Sequence, residues 1–390
     1  MNELAERWSR SADTDVLIVG GGIVGCVVAY HLANAGVNLI VAERGEINRE
    51  ASGTNAGSLH FQLLRQNEYS PARMAQLRFS VQLHAEANKA WATIERDLDT
   101  DLGVRRSFGL MVAETPDELE ALKEKNRVEH EMGIEAEILS PRELLDVSPH
   151  LSPHLLGADY CPGEGYADPL RVAPAYAHRA IEAGARVLVN CEAQSIEPLR
   201  GGGFAVQTSR GPINARRVVN AAGARAGLVA AMVGLRLPIV GRPLHVNVTE
   251  PWPILLGDQL VQHVGRRLTL KQTQYGTFII GGGWPSRYVQ ATNQKITLWE
   301  TLVGNLSVAL RAMPELREVR VIRTWGGMMG SAVDHFPILE EVGSVPGYFI
   351  LSPGDAGFTL GPVIGRLMAE LLTTGTTSLP IHAYRMSRFD

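Results

Sequence analysis

The sequence predicts an α/β protein, α+β overall: a discontinuous Rossmann-like dinucleotide-binding domain joined to a second domain built on an antiparallel sheet. Three observations carry this. A strand, glycine turn, helix and second strand open the chain. Two later segments rich in small residues, near 220 and 355, repeat parts of that logic. Between them lie runs that read as strands of one antiparallel sheet.

In the opening unit, Val16–Val19 is a short β-branched run, followed by Gly20, Gly22 and Gly25 in G-x-G-x-x-G spacing. The first glycine permits a tight turn, the second lets backbone approach a pyrophosphate, and the third lets the helix pack on the strand. A helix from Ile23 and Val24 to about Ala35 aims its N-terminal N–H groups at phosphates, and Gly36 stops it. Leu39–Ala42 is the next strand, and Glu43 at its end is placed to hold ribose hydroxyls. The glycine spacing alone would also fit an ordinary glycine-rich turn; the flanking strands, helix and Glu43 make it a dinucleotide site. A carboxylate at 43 opposes a 2′-phosphate, so FAD and NAD remain.

Three segments separate these two. Arg44–Arg65 (RGEINREASGTNAGSLHFQLLR) stands where a plain NAD domain would enter its second helix. Its small and polar residues Ser52, Gly53, Asn55, Ala56, Gly57 and Ser58 let backbone lie against a flat ligand, with Arg44 and Leu59 beside them as cofactor contacts. Arg216–Ala224 is a strand ending in Ala221-Ala222-Gly223, small enough to pass the same dinucleotide. Gly347–Leu372 is strand, turn and helix again; Gly354, Asp355, Ala356, Gly357, Phe358 and Thr359 surround a helix start whose positive end would face a second anionic or electron-accepting group.

With these segments and RTWGGMMGSAVDHFPILE (Arg323–Glu340), nearly the whole chain resembles the FAD-dependent D-amino-acid oxidase, glycine oxidase and sarcosine oxidase superfamily. Within it the sequence looks most like the flavin B subunits of opine (octopine or nopaline) oxidases. Hydrogen cyanide synthase C subunits and D-amino-acid, proline or hydroxyproline dehydrogenase subunits stand nearby. The resemblance implies a Rossmann-like, GR2-type FAD-binding domain from residues 14–90, 150–230 and 325–380, and a substrate domain from 91–149 and 231–324. It places the flavin between the two, the adenine against Ala193, and Trp325, Gly326 and Gly327 near the ring. It implies hydride loss from a carbon bearing nitrogen and hydrolysis of the resulting imine. It also implies a larger A subunit as partner and leaves a place for a small iron–sulfur (2Fe–2S) subunit. The FAD is expected to be non-covalent: no cysteine follows Cys191, and Asn55 stands where tethered relatives carry a histidine.

Relatives of the glycine-oxidase kind pair the substrate carboxylate with an arginine just beyond the tryptophan turn. Here Met328 and Met329 follow, so the floor is wider and less charged, and the anchor must come from elsewhere, with Arg65, Arg242 and Arg287 as candidates. His60 is a candidate substrate or flavin contact, against the plainer reading of a hydrogen-bonded structural histidine. Lys271 is a candidate for promoting reaction with oxygen; since lysine is almost never buried unpaired, a solvated surface position is the favoured reading. A non-catalytic flavin-binding scaffold is the alternative from another class.

The remaining elements follow from caps and periodicity. Asp168 and Pro169 start a helix that Gly184 ends, and RVLVN is the next strand. Thr115 with Glu118 and Ser140 with Glu143 are capping boxes; the first opens a polar, exposed helix. Thr292 to about Ala312 is expected to be helical. A net charge of −4 gives no reason to expect nucleic acid, no apolar run is long enough for a membrane span, and the polar N-terminus is not a secretory signal. Three scattered cysteines fit a cytoplasmic protein, with no disulfide framework, no metal-ligand cluster and too few thiolates for an iron–sulfur cluster.

Overall fold

The structure, a computed structural model, describes residues 13–63 and 70–389. Its first unit is β1 (Thr14–Val19), α1 (Ile23–Asn34) and β2 (Leu39–Ala42). A Cβ at Gly25 would strike the Gly20 carbonyl, so the third glycine is needed for close helix packing. Next come α2 (Ala51–Thr54), β3 (Ser58–Leu59), α3 (Pro71–Asp97), β4 (Arg105–Ala113), α4 (Pro116–Glu131), β5 (Glu137–Leu139) and α5 (Pro141–Val147). Both capping boxes form, at Thr115/Glu118 and Ser140/Glu143. β6 (Gly157–Tyr166) leads to α6 (Pro169–Glu182), whose first turn is capped by Asp168 accepting from Leu170 N. Then follow β7 (Arg186–Leu188), β8 (Ala193–Pro198), β9 (Phe204–Thr208), β10 (Gly211–Asn220) and α7 (Ala226–Ala231). The last third holds β11 (Ile239–Pro251), β12 (Leu260–His263), β13 (Thr269–Gln272), β14 (Thr277–Gly281), β15 (Ser286–Val289), β16 (Gln294–Thr297), α8 (Trp299–Ala312), β17 (Val321–Ala332), β18 (Ile338–Glu341), β19 (Tyr348–Ser352) and α9 (Gly357–Thr374).

Two large sheets organise these elements. The first runs β18-β19-β10-β1-β2-β7, with β9 and β8 continuing from β10. β19, β10, β1, β2 and β7 are parallel, as crossover helices require. α1 and α9 pack on one face, burying Ile23, Val27, Val363, Ile364 and Leu367 in one core. The second sheet runs β17-β11-β14-β13-β12-β4-β6-β3, with β5 on β6. It is antiparallel except where β12 lies parallel to β4, a departure from the expected all-antiparallel sheet. β15 and β16 form a separate hairpin.

Three expectations change. β6 and residues 325–332 of β17, expected with the dinucleotide part, are strands of the second sheet. The helix expected from Thr292 begins only at Trp299, because residues 294–297 pair with β15. The polar helix α4 is not exposed throughout: Lys125, Asn126 and Glu129 are buried against β6.

Candidate active site

A cavity of about 870 Å³ opens between the two sheets. Its dinucleotide half is lined by Gly20, Gly22, Ile23 and Val24, by Glu43 and Arg44, by Ala193, and by Ala221, Ala222 and Gly223. α1 and α9 both begin here, at Gly22 and Ala356. Neither start has a side-chain cap or an acidic residue in its first turn. Two positive helix ends therefore face the cavity without an internal anion. Ser52 Oγ accepts from Ile23 N at 2.9 Å and fixes the loop over the first helix start. The residues fit FAD: phosphates at the first helix start, adenosine beside Glu43 and Ala193, and the ring toward the second helix start, where Gly354, Asp355, Ala356, Gly357, Phe358 and Thr359 line the wall.

Glu43 is held on both oxygens: Gly21 N donates to Oε2 at 2.7 Å and Gly45 N to Oε1 at 2.8 Å. The carboxylate is thus oriented by the turn it follows, and each oxygen keeps a lone pair for a ribose hydroxyl. Arg44 lines the cavity while paired with Glu50 at 2.6 Å. Asn55 lines it too, but its side chain closes the loop, accepting from Gly57 N and donating to Ala51 O and Ser52 O.

Six expected cofactor contacts lie off the wall. Gly25, Gly53 and Gly57 serve packing: a Cβ would strike Gly20 O, Asn48 O and Ala167 O respectively. Leu59 is wholly buried in the first core. Gly326 lies against Lys295. Trp325 does not cover the cavity; its indole N–H donates to Thr54 O at 2.9 Å and braces the loop, while Gly327 reaches the wall.

The substrate half is lined by His60, Met111, Leu244, Val246, Gln262, Thr269, Met328 and Met329, with Tyr288, Gln290 and Asn293 from the β15–β16 hairpin. His60 is a wall residue, with its backbone N donating to Thr359 Oγ1 at 3.1 Å. Burial, then the nearby Lys271 and His84, lower its pKa to about 3, so the ring is neutral; Nδ1 is buried with no partner. Lys271 overturns the surface reading. It is 2% exposed, and its one hydrogen bond is to Ser58 Oγ at 2.9 Å, behind the wall. Burial lowers its pKa to about 7.

The arginine candidates fare differently. Arg65 lies outside the described residues. Arg242 is paired with Asp355 at 2.5 Å and Arg287 is exposed on β15; neither lines the cavity. Sequence reasoning missed Gln262, Met111, Leu244 and Val246. Nothing local marks these ordinary sheet residues; pairing of distant strands brings them to one wall.

The family model for FAD dependent oxidoreductases (DAO) matches residues 15–371. The B subunit of opine oxidase from Rhizobium meliloti is 28% identical over 393 residues, covering 97% of this chain and 98% of that protein. The mitochondrial pyruvate dehydrogenase phosphatase regulatory subunit of Mus musculus is 27% identical over 97% of this chain but 43% of its own length. Among solved structures, L-proline dehydrogenase from P. horikoshii superposes with a TM-score of 0.86 at 24% identity, covering 97% and 98% of the two chains.

Proposed function

The chain belongs to the DAO family of FAD-dependent oxidoreductases, and on that premise we propose that it oxidises the C–N bond of an amino-acid-derived secondary amine, an opine such as octopine or nopaline. The observation that carries this is the substrate wall. Where an arginine would grip a small zwitterion, Met328 and Met329 line the cavity, and the full-length similarity to an opine oxidase chain points the same way. FAD, when bound, supplies the acceptor for a hydride leaving the carbon beside nitrogen, after which water hydrolyses the imine to a carbonyl compound and an amine.

This chain's own residues bind and orient. Met111, Leu244, Val246, Met328 and Met329 exclude water from the reacting carbon. His60, neutral and with a free Nδ1, accepts a hydrogen bond from the substrate nitrogen without adding positive charge. Lys271, behind Ser58, shares a proton near neutrality close to the same loop. The test is anaerobic flavin bleaching against opines, D-amino acids, proline, sarcosine and glycine. Opines should bleach fastest; glycine as the better reductant would move the reading to a glycine-oxidising cyanide synthase component.

The similarity to one chain of a multi-subunit opine oxidase supports electron transfer to partner chains, a larger A subunit and an iron–sulfur chain. Slow reoxidation of the isolated chain in air would bear this out, whereas rapid peroxide production favours a self-sufficient oxidase, the role the buried Lys271 would suit. The similarity to a regulatory protein favours a second reading, a non-catalytic flavin scaffold. A flavin that no amine bleaches would establish it. Among the described residues no helix is long and apolar enough to cross a membrane.

A further inference from the structure

Glu164 lies on β6 with no exposure, behind the substrate wall. Its carboxylate takes four donors. Phe61 N and Gln62 N donate to Oε1 at 2.6 and 3.0 Å; Gln62 Nε2 and Gln262 Nε2 donate to Oε2 at 2.8 and 3.0 Å. Among the described residues no cation pairs with it directly; Lys125 reaches it only through Gln62 Oε1. The neighbouring strand makes room, since a Cβ at Gly109 would collide with Glu164 Oε2.

These bonds have a chemical consequence at the cavity. An ionised carboxylate only accepts, so Gln262 must turn its amide nitrogen toward Glu164 and its oxygen the other way. That oxygen meets the His60 ring, to which the Gln262 side chain is hydrogen-bonded. The ring must then donate from Nε2, because Nδ1 has no partner. A neutral imidazole donating at Nε2 carries an acceptor at Nδ1. The same carboxylate also fixes the backbone of Phe61 and Gln62, directly after His60.

We propose that Glu164 is a positioning residue for substrate. Through Gln262 it sets the orientation and tautomer of His60, so that Nδ1 faces the cavity as an acceptor for a substrate N–H. The inference rests on the amine-oxidation reading above and deepens it: the site takes an amine that still bears a hydrogen on nitrogen.

The experiment uses the FAD-loaded chain and the variants Glu164→Gln and Gln262→Met. An amide at 164 can donate to Gln262, turn that side chain over and present His60 with a donor. The Gln262→Met change removes the link without touching the backbone of 61–63. Both variants should raise the half-saturating octopine concentration for anaerobic bleaching at least tenfold, with the limiting rate and FAD dissociation constant within about threefold of wild type. If Glu164→Gln does not fold, Gln262→Met decides alone. An unchanged half-saturation overturns the proposal, as does a rise matched by equal loss of FAD affinity, which is what a merely structural role gives. If octopine fails but another amine of the panel bleaches wild type, the opine reading falls and the same comparison with that amine decides the inference. If no amine bleaches the flavin, both fall.

Discussion

Replacing Lys271 by Met should stabilise the FAD-free chain at neutral pH. The lysine is buried with one neutral hydrogen-bond partner, Ser58, and burial holds its pKa near 7 instead of 10.5. The folded value lies below the unfolded one. Below pH 7 both states carry the proton and the full cost of burying it is present. Between 7 and 10.5 the unfolded chain holds a proton that the folded chain has released, so stability climbs with pH; above 10.5 the cost is gone. At about 1.4 kcal/mol per pH unit the full cost is about 5 kcal/mol, and about 4 kcal/mol remains at pH 7. Loss of the bond to Ser58 offsets about 1 kcal/mol. Lys271→Met should therefore be more stable by about 3 kcal/mol at pH 7, with the advantage shrinking as pH rises. Urea unfolding of both proteins from pH 6.5 to 9.5 measures this. A difference that does not change with pH, or a variant less stable at pH 7, would refute the reasoning and mean that Lys271 is stabilised as a cation.

Further outcomes are expected. Glu43→Ala should weaken FAD binding by one to two orders of magnitude, because a charge-assisted bond to a ribose hydroxyl is worth about 1.5–3 kcal/mol; an unchanged dissociation constant by fluorescence titration would confine Glu43 to bracing Gly21 and Gly45. Lys125→Met should cost about 3–5 kcal/mol in urea unfolding, since Glu129 and Asp159 would be left buried without their cation; a loss under about 1 kcal/mol would mean that the two carboxylates hold a shared proton well enough alone. Acid precipitation should leave all yellow colour in the supernatant, and flavin retained in the pellet would disprove non-covalent attachment.

Much of the dinucleotide half was legible because its signals are local. The Gly20–Gly25 spacing, Glu43 at a strand end, Asp168 at a helix start and the two capping boxes each depend on residues a few positions apart. The second domain was less legible because its signals are contacts between distant residues. Lys125 and Glu129 sit at helical spacing among other charges and read as a solvated face. Only the approach of Asp159 and of the backbone at Leu63 makes their burial tolerable. Lys271 looked like a surface charge for the same reason. Arg242 looked free, yet its partner Asp355 lies 113 positions away. Residues 294–297 carry no breaker that would forbid a helix, so only pairing with β15 shows them to be a strand.

The segment from Ala56 to Leu63 decides how the two halves act together, because it is fastened to both. Ser58 and Leu59 pair with β6, and Ser58 also receives Lys271 from β13. His60 is tied to Thr359 in the first turn of α9, and that residue's carbonyl accepts from the Trp91 indole on α3. Phe61, Gln62 and Leu63 donate their backbone N–H groups to Glu164 and Glu129 in the second domain. Burial raises the pKa of Glu129 to about 8, with Asp159 adding to the rise and Lys125 opposing it. Its proton is therefore held through neutrality, and the repulsion that three close carboxylates would create around one lysine is reduced. A strand pinned at three consecutive amides cannot shift to follow a cofactor or a substrate. The cavity wall at His60 is thus preset by buried charges, not by ligand. Changes to those charges reach substrate parameters without touching the glycine turn that holds the dinucleotide.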